Sequence, residues 1–425
     1  MIQSITEELS LEKIVGGGQA LGVLADGRKA FVWGGLPGET VVATFNKQKK
    51  RFVDGVVDRV VQPSPARIQA KDPDSYLSTS PWQIMDFASE QRYKAELVRE
   101  AYALHNIELP DTIDIYTDNN EYGYRNKIEC SFMWDDKTQQ LDLAFFKRGS
   151  HEKIAISGTA IAHPSLNSLA VQIRDVFRQK PTTMQSLVSL LIRCDQMGNC
   201  VFQLFTTNKD AFALTSDEFE ALTSSGGELI YVDPVTRATK VLVTYGTTTL
   251  TDTILGTSFQ YKCDSFFQGN VPLYEQALTD MKQWVGEGPV VDMYSGVGTI
   301  GFTVGGDNLT LIESNKSAID EMKRNRYELG KKATIIEATS EASLEYIVPE
   351  ATIIVDPPRA GLHEAVVDQL LAKKPSRIIY LSCNPVTQAR DIKYLSASYK
   401  IIYQRGYNFF PRTPHIEYLV VLDLQ

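Results

Sequence analysis

From Val271 onward, short runs of β-branched and apolar residues alternate with stretches of helical spacing. The runs read "GPVVDMYSGVGTIGF", "LTLIESN", "KATIIEAT", "ATIIVDPPRAG" and "PSRIIYLSCNP", and a last pair of strands follows. Strands that alternate with helices in this way form a doubly wound, mostly parallel α/β sheet. Such a sheet binds its ligand beyond the carboxyl ends of its strands. Each tetrapeptide that ends a strand is therefore a candidate for chemistry.

The chain upstream reads differently. Residues 1–62 alternate like short strands, with turn signals at Asp26-Gly27, Gly34-Gly35 and Pro37-Gly38, which favours a small OB-like β-barrel. "SPARIQAKDPDSYLSTSP" breaks the pattern as a linker would. A helix near residues 87–103, with Phe87, Tyr93, Leu97 and Ala101 on one face, is expected to pack on the C-terminal domain. Strand-like segments and one helix, "SLNSLAVQIRDVFRQ", then make an α+β region. The expected domains are 1–62, 63–264 and 265–425.

Composition removes several classes. A length of 425 residues with 43% hydrophobic side chains exceeds one core and implies two or three domains. The formal charge of −9 advertises no polyanion partner, so any nucleic-acid surface must be a local basic patch. The five cysteines (130, 194, 200, 263 and 383) form no CxxC pair, which suits a reducing compartment. "MIQSITEELSLEKIVGG" lacks the pattern of a signal peptide, and no apolar run reaches membrane-helix length. A cytoplasmic protein is expected.

At the strand ends, Gly296, Gly298 and Gly301 satisfy G-x-G-x-x-G directly after an apolar strand. Such glycines let the backbone turn and approach a ligand closely. Glu313 ends the next strand, where a carboxylate can accept both ribose hydroxyls of an adenosine cofactor. NAD and S-adenosylmethionine both fit that pattern. "VDPPRAG" fixes Asp356 at a strand tip with two prolines. Methyltransferases acting on an exocyclic amine often carry an aromatic after Asp-Pro-Pro; here Arg359 stands there, which argues against amine methylation.

Cys383 alone would read as a core residue. Its neighbours point instead to covalent catalysis. A thiolate that adds to C6 of a pyrimidine makes C5 carbanion-like, able to accept a methyl group, after which a base must remove the C5 proton. A helix expected after Asn384-Pro385 could lower the thiol pKa. Glu417, where "FFPRTPHIEYLVVL" enters the last strand, is the candidate base, and His415 competes with it.

These motifs, "FFQGN", "VVDMYSGVGTIGF", "LIESN", "VDPPRAG", "LSCNPVTQARD" and "FFPRTPHIE", resemble in order and spacing the RNA uracil-5-methyltransferase family, which makes 5-methyluridine. The likeness covers the C-terminal half. Upstream, "GYRNKIE" and "FFKRGSHEKI" resemble the family's central domain, and "GGGQALGVLADGRKAFVWGGLPGETV" resembles the TRAM domain, an RNA-binding barrel. The resemblance implies a Rossmann-like S-adenosylmethionine-dependent methyltransferase domain behind a TRAM barrel and an α+β central domain. It implies Cys383 as nucleophile and Glu417 as base. It places Gln268, Tyr294, Gly296, Gly298, Thr299, Glu313, Thr339 and Asp356 around S-adenosylmethionine. Thr299 stands where many relatives carry asparagine.

Many relatives with a TRAM domain also hold an iron–sulfur cluster on four cysteines; here Lys71, Leu77, Ser80 and Thr159 occupy those places. No iron–sulfur cluster is expected, since none of the four can ligate iron as a thiolate does, and the segment after the barrel should be held by packing of Trp82. RNA contacts are expected from Lys47, Lys49, Lys50 and Arg51. A second basic set, Arg125, Lys127, Lys147, Arg148 and His151, is interleaved with Tyr122, Tyr124, Phe145 and Phe146. The TRAM barrel favours 23S ribosomal RNA as substrate, with the T-loop uridine of transfer RNA as rival, and a monomer is expected. An inactive RNA-binding scaffold would not need cysteine, glutamate and glycine loop together; a nicotinamide oxidoreductase would leave Asp-Pro-Pro-Arg and Ser-Cys-Asn-Pro unexplained. Protein purified without oxygen should accordingly be colourless, and stoichiometric iron and sulfide by elemental assay would contradict the cluster-free reading.

Overall fold

The computed structural model describes residues 4–180, 186–210 and 213–425, so the first three residues of the expected barrel lie outside it. Strands β1 (Ile5–Ile14), β2 (Ala20–Val23), β3 (Lys29–Trp33), β4 (Thr40–Gln48) and β5 (Phe52–Gln62) close a barrel in the order β1-β2-β3-β5-β4. Alternation along β4 sends Val41, Ala43 and Phe45 inward. Gly55 faces that strand because a Cβ there would stand 2.3 Å from the Thr44 carbonyl oxygen.

The segment expected as a linker is a packed strap. It carries the short helix α1 (Tyr76–Thr79) and is tied to all three neighbours. Toward the barrel, the buried Glu39 carboxylate holds Arg67 through both oxygens and accepts from the Ser64 amide. Trp82 is buried and donates its indole N–H to the Gly18 carbonyl at 3.0 Å. Toward the central region, Asp72 Oδ2 accepts from Ala160 N (2.8 Å), Thr159 Oγ1 (3.2 Å) and Gln83 Nε2 (2.9 Å). Packing of Trp82 thus shares the work with a polar clamp around Asp72.

Helix α2 (Phe87–Ala103) starts at Asp86, whose carboxylate caps Ser89 N at 2.8 Å. Its buried face comprises Glu90, Tyr93, Lys94, Val98, Ala101 and Tyr102, with Ser89. Phe87 and Leu97, read from the sequence as part of that face, are only half-buried. The stripe is rotated because the helix buries an ion pair, which an apolar periodicity cannot reveal. The two-residue strand β6 (Ile115–Tyr116) follows.

The central sheet contains β7 (Lys127–Asp135), β8 (Gln140–Phe146), β9 (Lys153–Ile156), β10 (Leu187–Cys194), β11 (Cys200–Thr206), β12 (Gly226–Val232) and β13 (Thr239–Gly246). Their order is β13-β12-β11-β10-β7-β8-β9. Helix α3 (Pro164–Arg178) covers it with Leu166, Leu169, Ile173 and Phe177, and α4 (Ser216–Glu220) is a short turn with a capping box. The hairpin β14 (Thr249–Ile254) and β15 (Thr257–Lys262) packs Ile254, Phe259 and Tyr261 into the core of the C-terminal sheet.

The C-terminal elements are α5 (Val271–Lys282), β16 (Val290–Met293), α6 (Thr299–Val304), β17 (Leu309–Glu313), α7 (Lys316–Glu328) and β18 (Ala333–Glu337). They continue as β19 (Thr352–Val355), α8 (Glu364–Lys373), β20 (Arg377–Ser382), α9 (Pro385–Leu395), β21 (Tyr399–Tyr407) and β22 (Glu417–Leu424). The sheet order is β18-β17-β16-β19-β20-β22-β21-β6. β18 through β20 run parallel, and β22 enters antiparallel between β20 and β21. Neighbouring residues serve opposite faces: Val291, Ile353 and Ile378 pack with α2 and α8, while Val290, Ile354 and Ile379 pack with α5 and the hairpin. The sequence order reverses at β16, whose neighbours are β17 and β19. That switch point fixes where a ligand can sit.

Asp72→Ala leaves two backbone or side-chain donors of the central region and Gln83 without their acceptor. It should cost about 1–3 kcal/mol, read as a lowered melting temperature together with faster proteolytic cutting within residues 64–81. An unchanged cutting pattern would show that Trp82 alone holds the strap.

Candidate active site

The loop after β16 is bent into an unusual backbone. Tyr294 (φ 68°), Gly296 (φ 57°) and Gly298 (φ 90°) all lie in the left-handed region, which a tyrosine enters only under constraint. Asp292, fully buried in β16, supplies part of it: its Oδ2 accepts the Gly301 amide at 2.9 Å, while Oδ1 has no partner. Burial pushes this carboxyl up to about 8, against the Gly301 hydrogen bond and with a smaller push from Asp356 and Glu313. Asp292 stands inside a quoted motif, but only its position on the inner face of a strand marks it as functional. Gly298 and Gly301 are demanded by packing, since a Cβ would fall 2.4 Å from the Phe302 ring and 2.3 Å from Leu311. Gly296 instead borders open space.

Glu313, at the tip of β17, accepts from the amides of Gly296 (2.9 Å), Ser314 (2.8 Å) and Asn315 (2.7 Å). Thr299 opens α6 and its hydroxyl meets the Tyr274 phenol at 3.3 Å. Gln268 is buried just before α5, where its carbonyl accepts from Asn126 Nδ2 at 2.9 Å. Thr339 follows β18 and is exposed; Asp356 follows β19. Tyr294, Gly296, Gly298, Thr299 and Glu313 thus share the rim of β16 and β17, with Thr339 and Asp356 on the strands to either side. Asn126 and Tyr274 belong to the same structure; Asn126 stands inside the quoted "GYRNKIE" without having been singled out, and Tyr274 carried no sequence signal beyond an ordinary buried position.

The second half of the rim comes from β19, β20 and β22. Because β22 runs antiparallel to β20, with Tyr418 opposite Ser382, its first residue lies at the end where β20 finishes. Glu417, buried, is thereby brought beside Cys383. Gln388 splices the two strands here, donating to the carbonyls of Tyr380 (3.0 Å) and Tyr418 (2.9 Å) and accepting from Tyr102 of α2 (3.0 Å). Asn384 caps α9 and donates to the Arg359 carbonyl at 2.8 Å, which ties the Asp-Pro-Pro-Arg turn to the cysteine turn.

The expected lowering of the thiol pKa is not what these surroundings produce. Burial first, then Glu417 and Asp356, push Cys383 up to about 11; Arg359 opposes them. The start of the helix is capped by Asn384, whose Oδ1 accepts from Val386 N at 3.3 Å. Burial raises Asp356 to about 7 and holds Glu417 well above the usual carboxylate range, with Asp356 adding to the latter. His415 behaves oppositely. Desolvation first, then the cations Arg359, Lys94, Arg125 and Arg148, bring it down to about 4, although its outer edge is exposed. Arg359 Nη2 lies 2.8 Å from its Nδ1, so Nδ1 accepts and the ring proton sits on Nε2.

Residues 408–416, which lead into Glu417, are held from three directions. Lys94 donates to Asn408 Oδ1 and to the Phe410 carbonyl; Tyr124 donates to the Pro411 carbonyl at 2.9 Å; Trp82 N donates to the Arg412 carbonyl at 3.0 Å. Tyr124 is therefore a buried support and not a stacking surface, contrary to the reading from sequence. The ring of Tyr122 is likewise covered, by Lys71 and Arg412.

A cavity of about 410 Å³ reaches Cys383. Its walls include Arg359, Asn384 and His415 on one side and Gly16, Trp33 and Arg148 on the other. Of the expected RNA-contacting residues, Arg148 lines it and Arg125 is close enough to act on His415. Lys127 is turned toward the Asp264 carbonyl. Lys47, Lys49, Lys50 and Arg51 are exposed at the opposite end of the barrel: Phe52 pairs with Lys29, at the start of β3, whereas Trp33 ends it. That separation is about 13 Å of strand, so the lysine run and the cavity are distinct surfaces.

Residues 343–425 match the family model described as tRNA (Uracil-5-)-methyltransferase. An uncharacterised RNA methyltransferase of Enterococcus faecalis is 29% identical, covering 95% of this chain and 94% of its own, and one of Nitratidesulfovibrio vulgaris is 25% identical, covering 99% and 96%. The fold is shared with the crystal structure of Pyrococcus abyssi tRNA (uracil-54, C5)-methyltransferase in complex with S-adenosyl-L-homocysteine, with TM-score 0.80, 21% identity and coverage of 97% of this chain and 99% of that one. The chain is an RNA methyltransferase, and its residues 343–425 are similar to the uracil-5-methyltransferase family.

S-adenosylmethionine is the cofactor of this RNA methyltransferase. The switch-point loop fits it: Gly296 leaves space beside the backbone, and Glu313 is pinned by three amides with one lone pair of Oε2 to spare. Among the described residues no group of three or more His, Cys, Asp or Glu could hold a metal ion, and no helix is long and apolar enough to cross a membrane. The pKa shifts make a direct prediction. Alkylation of Cys383 by iodoacetamide in the free enzyme should be slow at pH 7 and rise with a midpoint near 11. Arg359→Ala should slow it several-fold at pH 9, because the one cation favouring the thiolate is gone, each pKa unit being about tenfold in thiolate. A midpoint below 8 would contradict this account of the site.

Proposed function

We propose that the protein methylates C5 of a uridine in RNA through a covalent bond between Cys383 and uracil C6. The observation that carries the reading is the antiparallel entry of β22, which sets Glu417 against Cys383 with Asp356 and Arg359 beside them. Gln268, Tyr294, Gly296, Gly298, Thr299, Glu313, Thr339 and Asp356 hold S-adenosylmethionine, which supplies an electrophilic methyl group. Cys383 loses its proton to solvent by way of the Asp356–Glu417 pair as its sulfur bonds to C6, which leaves Glu417 ionised, and the C5–C6 π pair moves onto C5 and the C4 carbonyl oxygen. After C5 has taken the methyl group, Glu417 removes the C5 proton. The electrons of that C–H bond restore the C5–C6 double bond as the C6–S bond breaks, and Cys383 is regenerated. Raised carboxyl pKa values suit this work, since a base is most effective near the operating pH. His415 is a poor rival: its accepting nitrogen is engaged by Arg359 and its other nitrogen carries the proton.

The target expected from the barrel is 23S ribosomal RNA, modified in the cytoplasm by a monomer. The T-loop uridine of transfer RNA is a second reading, favoured by a specific observation. A protein whose title names transfer RNA uracil-54 shares this fold over 97% of the chain, a span that leaves no room for the barrel to be missing. A barrel alone therefore does not select ribosomal RNA. Mapping 5-methyluridine in both RNA classes from a deletion strain decides between them.

Cys383→Ala should abolish methylation. Glu417→Gln should still add and transfer but fail to release, so a covalent RNA–protein band accumulates on a denaturing gel with ordinary RNA. His415→Ala should not trap that band. Trapping by His415→Ala alone would move the base to histidine.

A further inference from the structure

The cavity at Cys383 is larger than its chemistry requires. At about 410 Å³ it falls among pockets that enclose a whole drug-sized ligand, whereas one uracil ring must reach the thiol. Its far wall is built from the barrel and the central region, which contribute Trp33 at the end of β3 and Arg148 from the turn between β8 and β9.

These two residues form one object. The Arg148 guanidinium lies over the indole ring, 4.2 Å from its centroid, and its Nε donates to the Leu77 carbonyl of the strap. One face of the plane is thus backed by an aromatic ring, and one edge is fixed. No carboxylate acts on this guanidinium among the described residues; burial alone perturbs it. A surface arginine is usually solvated or paired. This one is half-buried, oriented and unneutralised, and it borders the space that leads to Cys383. Nearby, Gly16 and Gly17 in the β1–β2 turn leave the mouth open, since a Cβ on either would meet nothing within 4 Å.

We propose that Arg148, backed by Trp33, is a second nucleobase subsite, on which a base next to the target uridine stacks once that uridine has left its own stack to reach Cys383. The subsite rests on the uridine reading above. The physical basis is that splayed RNA bases stack on arginine planes as well as on aromatic rings. A target uridine drawn out of a helix also leaves its neighbour with an uncovered face, and the Arg148 plane replaces the lost partner. A phosphate contact would need only the charge of Arg148, whereas a stacked base needs its plane.

That distinction sets the test. RNA from cells lacking the protein identifies the methylated uridine, and a synthetic stem-loop spanning it is then made with one neighbouring base at a time removed to leave an abasic sugar. With wild-type protein, KM should rise roughly tenfold at one flanking position and little elsewhere. Arg148→Lys should weaken the intact RNA by a similar factor and should show no further loss at that position. Trp33→Leu should act in the same direction, with Trp33→Phe restoring most of the effect and serving if the leucine variant folds poorly. An abasic penalty that survives undiminished in Arg148→Lys, or no penalty at any flanking position in the wild type, overturns the subsite and leaves Arg148 as a phosphate contact. A wild-type protein that methylates C5 of uridine in no RNA overturns the uridine reading itself and the subsite with it.

Discussion

The ion pair of Glu90 and Lys94 on α2 is the interaction on which the arrangement of the site depends. Both side chains are fully buried, 3.1 Å apart. Burial lowers Lys94 to about 8, against the pull of Glu90. Charges so deep are tolerable only when nearly every donor and acceptor is used, and these are. Glu90 also accepts from Asn408 Nδ2 (2.9 Å) and from the Arg412 amide (3.0 Å), while Lys94 reaches Asn408 and the Phe410 carbonyl. All of those partners lie on the loop between β21 and β22. Removing one charge would strand the other at a cost of about 3–5 kcal/mol. A helix far upstream in sequence thus fixes the path by which Glu417 enters its strand, and Arg412 is held at φ 65° as part of it.

The site sorts its charges by depth. Asp292, Asp356 and Glu417 are carboxyls at the sheet rim whose pKa values burial raises, whereas Arg359 and Arg148 line the cavity that leads to Cys383. The inner group holds protons near neutral pH and can exchange them with a thiol or a carbon acid. The outer group meets a polyanion. An acidic chain can therefore serve an RNA substrate, because cations line the opening to the site whatever the sign of the net charge.

The sheet and the cofactor loop were legible in the sequence because they rest on local rules. A strand, a glycine turn and a helix occupy consecutive residues, and Glu313 ends the very next strand. Glu417 was legible only through a motif, since its nearness to Cys383 arises from an antiparallel strand inserted out of order. Lys94 was silent, and Gln388 and Asn126 stood inside quoted motifs without any sign of their roles: each is polar, buried and bonded to partners far away in sequence, and in a one-dimensional reading a buried lysine looks like a surface one. The strap was read as a linker because the hydrogen bonds that anchor it, from Ala160 to Asp72 and from Arg67 to Glu39, are tertiary. Tyr124 was read as exposed because aromatics beside basic residues mark RNA surfaces as often as they mark supports. The thiol pKa was misjudged for a related reason: a helix start predicts a donor, but not that Asn384 caps that start or that two carboxyls face the sulfur.

Covalent attack by Cys383 is the claim from which the rest of the account follows, and the adduct itself tests it most directly. RNA carrying 5-fluorouridine has no C5 proton to release, so the protein should stall on it. Mass spectrometry of the digested complex should then find the nucleotide mass on the peptide that contains Cys383, at the sulfur. A methylating protein whose adduct maps to another residue, or that forms no adduct while it methylates ordinary RNA, would contradict the account.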